Sequence, residues 1–268
     1  MPPVSPRPLA QAPAGIGAGI RGVFCDIDDT LTWEGRLVPE AFAALARLKA
    51  AGLRVVPITG RPAGWVDHIA RMWPVDGVVG ENGGLWFYHR DGRLHRHFLQ
   101  TEAERGKNRA RLEALAGTIL HSVPGTALAS DQPYRELDLA IDFCEDVPAL
   151  GEDAIDDIVA AFDAAGATSK ISSIHVNGWF GEFDKLEGCR RLLRDLWNED
   201  LDDVRNAYAF FGDSANDAPM FGYFPMSVGV ANVSDFLHRM DAWPTWITQG
   251  YGGHGFAEGI RLLLDGAV

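Results

Sequence analysis

Two aspartates, Asp26 and Asp28, follow a short apolar run and could act together on a phosphate ester. The run covers residues 22–25 and is typical of a buried parallel strand that ends in polar residues. A turn at that point could aim both carboxylates into the crevice where open α/β sheets bind ligands. One carboxylate can attack phosphorus, while the other protonates the leaving alcohol and later activates water. A helix cap or an Asx turn would explain the pair equally well if it stood alone.

A second acidic motif, Gly212–Asp217, follows the apolar run 207–211 and adds Asp213 and Asp217. Four carboxylates that converge on one crevice would repel each other without a cation, and hard oxygen ligands favour Mg²⁺. We expect Asp26 and Asp213 to bind the ion directly and Asp28 to contribute its backbone carbonyl. Asp217 is expected in the coordination shell or just behind it. The alternative role for Asp213 and Asp217 is N-capping of the following helix.

Groups that could bind a phosphate follow the apolar segment 53–58. Thr59 supplies a hydroxyl and Gly60 an unhindered backbone amide, near the start of a predicted helix. Arg61 or Lys185 could neutralise the remaining charge of a phosphoryl group. Taken singly, Thr59 would be an ordinary turn residue and Lys185 a solvated surface lysine.

The elements that carry these residues alternate as strand and helix. Helical periodicity appears after Pro39, with Gly52 as the expected left-handed cap, and again after Pro62, where Trp65, Val66, Ile69 and Met72 share one face. This order predicts an α/β fold with a doubly wound parallel sheet. Residues 21–85 and 178–268 are expected to form this core, and residues 1–20, rich in Pro, Ala and Gly, a flexible tail rather than a signal peptide.

The pattern becomes antiparallel from about residue 86. Asp91 and Gly92 lie between two apolar segments, which predicts a hairpin with a type I′ turn. Thr101 and Glu104 form a capping box, residues 137–143 alternate as a half-solvated strand, and a further strand is expected near residues 171–176. We therefore expect residues 86–177 to form an inserted α+β domain.

Composition limits the possible partners. The 268 residues carry a net charge of -13 with a pI near 5.0, which argues against binding to nucleic acids or anionic membranes. Three widely separated cysteines fit reduced thiols, and no apolar stretch approaches the length of a membrane-spanning helix. A soluble, cytoplasmic protein with a small anionic partner is expected.

The four motifs together resemble those of the haloacid dehalogenase (HAD) superfamily of phosphotransferases. The matching segments are Asp26–Thr30, Ile58–Arg61, Phe183–Lys185 and Gly212–Asp217. The resemblance implies one role for each matched side chain: Asp26 as nucleophile, Asp28 as general acid/base, Thr59 and Lys185 as phosphate ligands, and Asp213 as magnesium ligand. Asn216 matches a position that contacts the phosphate or holds Lys185. Asp29 departs from the family, which usually has glycine there.

The insertion between the second and third motifs is similar to the type II cap of HAD subclass IIB. This subclass includes phosphatases of trehalose, sucrose and mannosylglycerate phosphates, and the segments Glu81–Gly84 and Gly252–Glu258 also resemble it. An acid at the position of Asp28 marks phosphatases and mutases, so the ion-pump and dehalogenase activities of the superfamily become less favoured.

These observations predict a magnesium-dependent phosphatase that acts on a small phosphorylated metabolite, with a sugar or sugar-acid phosphate favoured, and a cap that selects the substrate. A phosphomutase with the same motifs and a non-catalytic sugar-phosphate sensor are the alternatives, and a protein phosphatase is less favoured because the cap would screen the site. Candidates for specificity are polar residues near the cap edges: Arg61, Glu81, Asn82, Lys170, His175 and Asn177. For His175, packing within a strand is favoured over substrate contact. The oligomeric state is left open.

Overall fold

The computed structural model of the protein describes residues 5–265. Within that range the strands are β1 (Arg7–Pro8), β2 (Gly22–Asp26), β3 (Thr32–Trp33), β4 (Arg36–Leu37), β5 (Arg54–Ile58), β6 (Val78–Gly80), β7 (Leu85–Arg90), β8 (Arg93–Phe98), β9 (Ala127–Leu128), β10 (Leu139–Asp142), β11 (Thr168–Ile171), β12 (His175–Trp179), β13 (Tyr208–Gly212), β14 (Met226–Gly229) and β15 (Trp246–Ile247). The helices are α1 (Pro39–Ala50), α2 (Ala63–Met72), α3 (Glu102–Ser122), α4 (Glu152–Ala164), α5 (Lys185–Trp197), α6 (Leu201–Val204), α7 (Ala218–Tyr223) and α8 (Gly252–Asp265).

The core of the protein is a nine-stranded sheet in the order β1-β15-β14-β13-β2-β5-β6-β7-β8. The strands from β1 to β6 in this order are parallel to their neighbours. Cys25 of β2 pairs with Phe211 of β13, and Asp26 pairs with Ile58 of β5. The carboxyl ends of these three strands therefore lie side by side, as the sequence predicted for the residues that follow them.

Helices cover both faces of this sheet, which explains why its central strands are continuous apolar runs. Val23 and Cys25 of β2 pack into one cluster with α1, α2 and α8. Phe24, between them, packs into a second cluster with α5 and α7. The predicted doubly wound α/β fold is thus confirmed.

The predicted hairpin exists, but it belongs to the core. Asp91 and Gly92 have φ of 52° and 73°, as a type I′ turn requires. Strands β7 and β8 extend the large sheet antiparallel at its edge. The boundaries predicted at residues 86 and 177 are therefore displaced: the chain leaves the core sheet after Phe98 and the strand β12 continues to Trp179. A change to antiparallel pairing does not mark a domain boundary, because a hairpin can extend a parallel sheet.

The inserted cap is a separate antiparallel sheet in the order β11-β12-β10-β9. Helices α3 and α4 cover one face, where Leu139 and Ile141 pack against Ile119 and Phe162. The strand expected near residues 171–176 is two paired strands, since β11 ends at Ile171, β12 begins at His175, and residues 172–174 form the turn between them. The strand around residue 140 is not half-solvated, because the polar face of the cap sheet lies toward the core.

The predicted flexible tail has a defined path where it can be described. Residues 1–4 lie outside the described residues. Arg7 and Pro8 pair with Trp246 and Ile247 at the edge of the core sheet, and Leu9 is buried. Residues 7–9 therefore contact the core, while the flexibility of the tail stays a prediction.

The helix α2 buries a different face from the one predicted. Val66 and Ile69 are buried with Ala63 and Ala70, whereas Trp65 and Met72 are 42% and 70% exposed. In residues 5–265 no helix has the length and apolarity needed to cross a bilayer. Cysteines 25, 144 and 189 are free thiols, as predicted, and the cytoplasmic location stays a prediction.

Candidate active site

Three loops and the N-terminus of one helix meet at the carboxyl edge of the core sheet. Asp26 ends β2, Thr59 follows β5, Asp213 follows β13, and Lys185 is the first residue of α5. In the first loop Asp29 has φ of 54°, and its backbone N–H donates to Thr32 Oγ1 at 2.8 Å. The aspartate in the position of the usual glycine thus takes the left-handed conformation, and the loop keeps its turn.

Lys185 joins two of the acids in a buried cluster. Its Nζ donates to Asp26 Oδ1 at 2.5 Å and to Asp217 Oδ1 at 2.6 Å. Burial alone would lower the pKa of Lys185, but the charges of Asp217 and Asp26 outweigh it and raise that pKa. Lys185 is therefore a fixed positive charge beside the predicted nucleophile and not the solvated surface lysine that was the alternative.

The aspartate cluster can hold a metal ion. Carboxylate oxygens of Asp26, Asp213 and Asp217 lie within 4.8 Å of one another. Asp213 Oδ1 accepts from Thr30 Oγ1 at 3.0 Å, while its buried Oδ2 has no hydrogen-bond partner among the described residues. Burial, and then the charges of Asp26 and Asp217, raise the pKa of Asp213. The cluster has three buried acids but only one lysine, and one carboxylate oxygen has no partner among the described residues. These groups fit a divalent cation such as Mg²⁺.

The two further acids predicted as metal ligands have other partners. Asp217 Oδ1 accepts from Lys185, and its Oδ2 accepts from the backbone N–H groups of Asp213 and Ser214 at 2.9 and 3.4 Å. This arrangement favours a place for Asp217 just behind the coordination shell. The Asp28 side chain lies outside the cluster, and the role of its carbonyl stays a prediction.

Asp28 is paired with Arg61 instead. Arg61 Nε lies 3.0 Å and Arg61 Nη2 2.9 Å from Asp28 Oδ1. Thr59 Oγ1 accepts from the backbone N–H of Arg61 at 2.9 Å and donates to Asp28 Oδ2 at 3.5 Å. The predicted phosphate ligand Thr59 is therefore buried next to the predicted general acid.

Arg61 also reaches across to the cap. Its Nη1 lies 3.2 Å from Asp131 Oδ2, and its Nη2 donates to Glu145 Oε1 at 2.5 Å. His175 Nε2 lies 2.9 Å from the other oxygen of Glu145. Arg61 is thus paired with three carboxylates, as Lys185 is with two, and the role of either cation toward a phosphoryl group stays a prediction.

A small cavity lies between core and cap at this point. Its volume is about 10 Å³, room for about one water molecule. It is lined by Asp26, Asp28, Gly60, Arg61, Ser172, Ser173, Ile174, His175, Asn177, Ser214 and Asn216. His175 therefore faces the site, contrary to the expected packing role. Asn216 lines the cavity and accepts from Ser214 Oγ at 3.0 Å, while Asp217, not Asn216, holds Lys185.

Comparisons with known proteins agree with this arrangement. Residues 23–105, which contain the first two motifs, match the family described as haloacid dehalogenase-like hydrolase. Over these residues the chain is similar to that family. A phosphoglycolate phosphatase of Pyrobaculum neutrophilum is 29% identical over 93% of this chain and 98% of its own length. The predicted resemblance is confirmed, and the predicted phosphatase activity is supported.

Solved structures share the fold of this protein. A protein of Thermoplasma acidophilum, 0175, has a TM-score of 0.67 at 19% identity and covers 92% of this chain and 99% of its own. The sucrose-phosphatase of Synechocystis sp. PCC6803, solved with sucrose and phosphate, has a TM-score of 0.63 at 17% identity and covers 91% and 98%. The likeness includes the region of the cap, since nearly the whole of each chain is covered.

Three of the predicted specificity residues lie away from the cavity. Glu81 is buried and accepts from the backbone N–H groups of Ala63, Glu136, Leu137 and Asp138. Asn82 donates to Asp138 Oδ2 at 3.5 Å. Lys170 lines a separate cleft of about 640 Å³ together with Arg239. Glu81 and Asn82 thus join core and cap, while Lys170 lies to one side of the site.

Four cap residues that contact the core were not predicted: Asp131, Arg135, Asp138 and Glu145. Arg135 donates to the Gly60 carbonyl at 2.7 Å and to Asp138 Oδ1 at 2.9 Å. Asp138 in turn accepts from Asn177 Nδ2 at 2.9 Å. The sequence signal for these contacts is the polar face of β10, which the alternation predicts to meet water but which is buried in the structure.

Because of Glu81, the protein should become less stable as the pH rises. Burial and the charge of Asp138 raise the pKa of Glu81 to about 7. The folded state binds this proton more tightly than the unfolded chain, so the contribution of Glu81 is complete below its usual pKa and is lost as the pH rises through about 7. The loss is on the order of 3 kcal/mol.

Urea unfolding between pH 5 and pH 8 checks the predicted effect of Glu81 on stability. We expect the free energy of unfolding of the native protein to fall with pH and that of Glu81→Gln to fall less. Equal slopes in the two proteins would contradict the assignment to Glu81.

Proposed function

We propose that this protein hydrolyses a small phosphate monoester, a sugar or sugar-acid phosphate, in a Mg²⁺-dependent reaction through an aspartyl-phosphate at Asp26. One observation carries the proposal. Asp26 lines the cavity, is held by Lys185 at 2.5 Å, and lies beside Asp213, whose Oδ2 has no partner among the described residues. A positioned nucleophile, a fixed cation and a free metal ligand are the parts that phosphoryl transfer needs.

The residues of the site account for both halves of the reaction. A carboxylate oxygen of Asp26 attacks phosphorus, and the bond from phosphorus to the alcohol oxygen breaks while Asp28 donates a proton to that oxygen. Asp28 then accepts a proton from water, whose oxygen attacks phosphorus and releases Asp26 and inorganic phosphate. Lys185 stays charged beside the transferring group. Mg²⁺, held by Asp26 and Asp213, would supply neutralising charge.

The cap side of the cavity favours a leaving group rich in hydrogen-bonding oxygens. His175 and Asn177 line the cavity together with the turn 172–174. These groups can donate to and accept from hydroxyls, as a sugar or a sugar acid requires. The names of the relatives are compatible, since one is a phosphoglycolate phosphatase and another was solved with sucrose and phosphate.

Phosphate release from a substrate panel tests the proposal. The panel contains sugar phosphates, sugar bisphosphates, phosphoglycerate conjugates and phosphoglycolate, each with Mg²⁺ and with a chelator. Selective release that needs Mg²⁺ supports the proposal and identifies the substrate class. No release from any member, or interconversion of monophosphates primed by a bisphosphate, would overturn hydrolysis in favour of a sensor or a mutase.

A further inference from the structure

The guanidinium of Arg61 is shared between the core and the cap. On the core side, Nε and Nη2 contact Asp28 at 3.0 and 2.9 Å. On the cap side, Nη1 contacts Asp131 at 3.2 Å and Nη2 contacts Glu145 at 2.5 Å. Each of its three nitrogens therefore has a carboxylate partner, and two of the three carboxylates belong to the cap.

Arg61 depends on the cap for its fixed position. Its side chain is 7% exposed in this closed arrangement. If the cap moves away, the contacts to Asp131 and Glu145 are lost, and Asp28 and the ring of Trp65, 4.7 Å from the guanidinium, remain. A single ion pair that faces water is worth little and allows several geometries. Three simultaneous pairs instead fix one orientation of the guanidinium and, through it, of Asp28.

Glu145 is itself held rigidly at the end of β10. Asp142 accepts from the backbone N–H groups of Cys144, Glu145 and Asp146 at 2.8 to 2.9 Å, which fixes the loop. His175 then lies 2.9 Å from Glu145 Oε2. Burial would raise the pKa of Glu145, but His175 and Arg61 outweigh it and lower that pKa to about 2. The cap thus presents a fixed negative charge to Arg61.

We propose that Glu145 is a positioning residue that, through Arg61, orients the general acid Asp28 when the cap closes. The inference rests on the proposed function, because it assigns Asp28 the proton that the leaving oxygen receives. Protonation of the leaving group is then efficient only under a closed cap. Glu145 touches no reacting atom, and its effect must pass through Asp28.

Glu145→Gln tests the inference, because it keeps the shape and removes the charge. The rate is compared for the best alkyl phosphate of the panel and for p-nitrophenyl phosphate, whose leaving group needs no proton. General acid catalysis is worth about 10²–10⁴-fold. We expect kcat/KM to fall roughly 10–100-fold for the alkyl ester and less than about 3-fold for the aryl ester, because only part of the acid contribution depends on orientation.

Asp156→Asn is the matched control. Asp156 of the cap lies 2.9 Å from Arg239 of the core, so it also forms a core–cap ion pair, but this arginine contacts Glu152 and not Asp28. We expect Asp156→Asn to change kcat/KM by less than about 2-fold with either ester. A leaving-group-dependent loss in Asp156→Asn would show that cap docking in general, not Glu145, is responsible, and would overturn the inference.

A double variant separates positioning from a structural role. Once Asp28→Asn has removed the acid, adding Glu145→Gln should lower kcat/KM for the alkyl ester by less than about 3-fold more, since both residues act through one group. The inference would be overturned if the effects of the two substitutions on kcat/KM were fully additive. It would also be overturned if Glu145→Gln lowered kcat/KM equally for both esters. If Glu145→Gln does not fold, Glu145→Asp replaces it and should show the same selectivity. Absence of phosphate release in the native protein would instead mean that the proposed function fails.

Discussion

Asp26→Asn should lower phosphate release roughly 10⁴-fold or more, because the substitution removes the nucleophile and leaves only binding and charge stabilisation. The fold should persist. The asparagine keeps the shape of the side chain, and Lys185 retains Asp217 as a partner. Without metal, the melting temperature should stay the same or rise, because three buried acids share a single lysine and one negative charge is removed.

Phosphate release, measured together with thermal unfolding in chelator, checks this result. The exposed Asp153 of α4 provides the control, since Asp153→Asn should leave both quantities unchanged. Hydrolysis retained by pure Asp26→Asn would contradict the role of Asp26. A large loss of stability would mean that the carboxylate supports the fold.

Removal of the metal should lower activity roughly 10²–10³-fold, because the ion supplies several kcal/mol of charge stabilisation. Mg²⁺ at about 100 times its dissociation constant should stabilise the folded protein by about 2.7 kcal/mol, which for a chain of this size raises the melting temperature by roughly 5–10 °C. Asp213→Asn should lose both effects, because the unpartnered Oδ2 becomes an amide nitrogen or a neutral oxygen.

Thermal shift with Mg²⁺, compared between the native protein and Asp213→Asn, measures the effect independently of any substrate. Ca²⁺ serves as a second ion, since the site offers few ligands and suits the smaller cation. An unchanged Mg²⁺ shift in Asp213→Asn would place the metal elsewhere.

The chemical centre was predictable because it depends on strand ends. Asp26, Thr59 and Asp213 each follow an apolar run, and parallel neighbours in one sheet bring their carboxyl ends together. Lys185 was one of two possible charge partners until the resemblance to the family favoured it, since a lysine at the start of a helix carries little signal of its own. The structure brings it to 2.5 Å from Asp26.

The contacts of the cap were not predictable from local patterns. Alternation along β10 shows that Asp138 and Asp142 lie on the face opposite Leu139 and Ile141, but it does not say what covers that face. Here the core covers it, and the two aspartates are 3% and 1% exposed. Glu145 was missed for the same reason, because its partners Arg61 and His175 come from distant parts of the chain.

If the protein hydrolyses a phosphate ester as proposed, the cavity between core and cap must widen in every catalytic cycle. A space of about 10 Å³ cannot admit a phosphate ester, so the substrate must arrive before the cap reaches this position and the products must leave after it has departed. Every turnover then contains one separation and one return of the two units, and the turnover number cannot exceed the frequency of that motion. The chain crosses between the units at residues 99–101 and 180–184. The second crossing ends directly before Lys185, so any movement of its backbone would reach the lysine beside the predicted nucleophile.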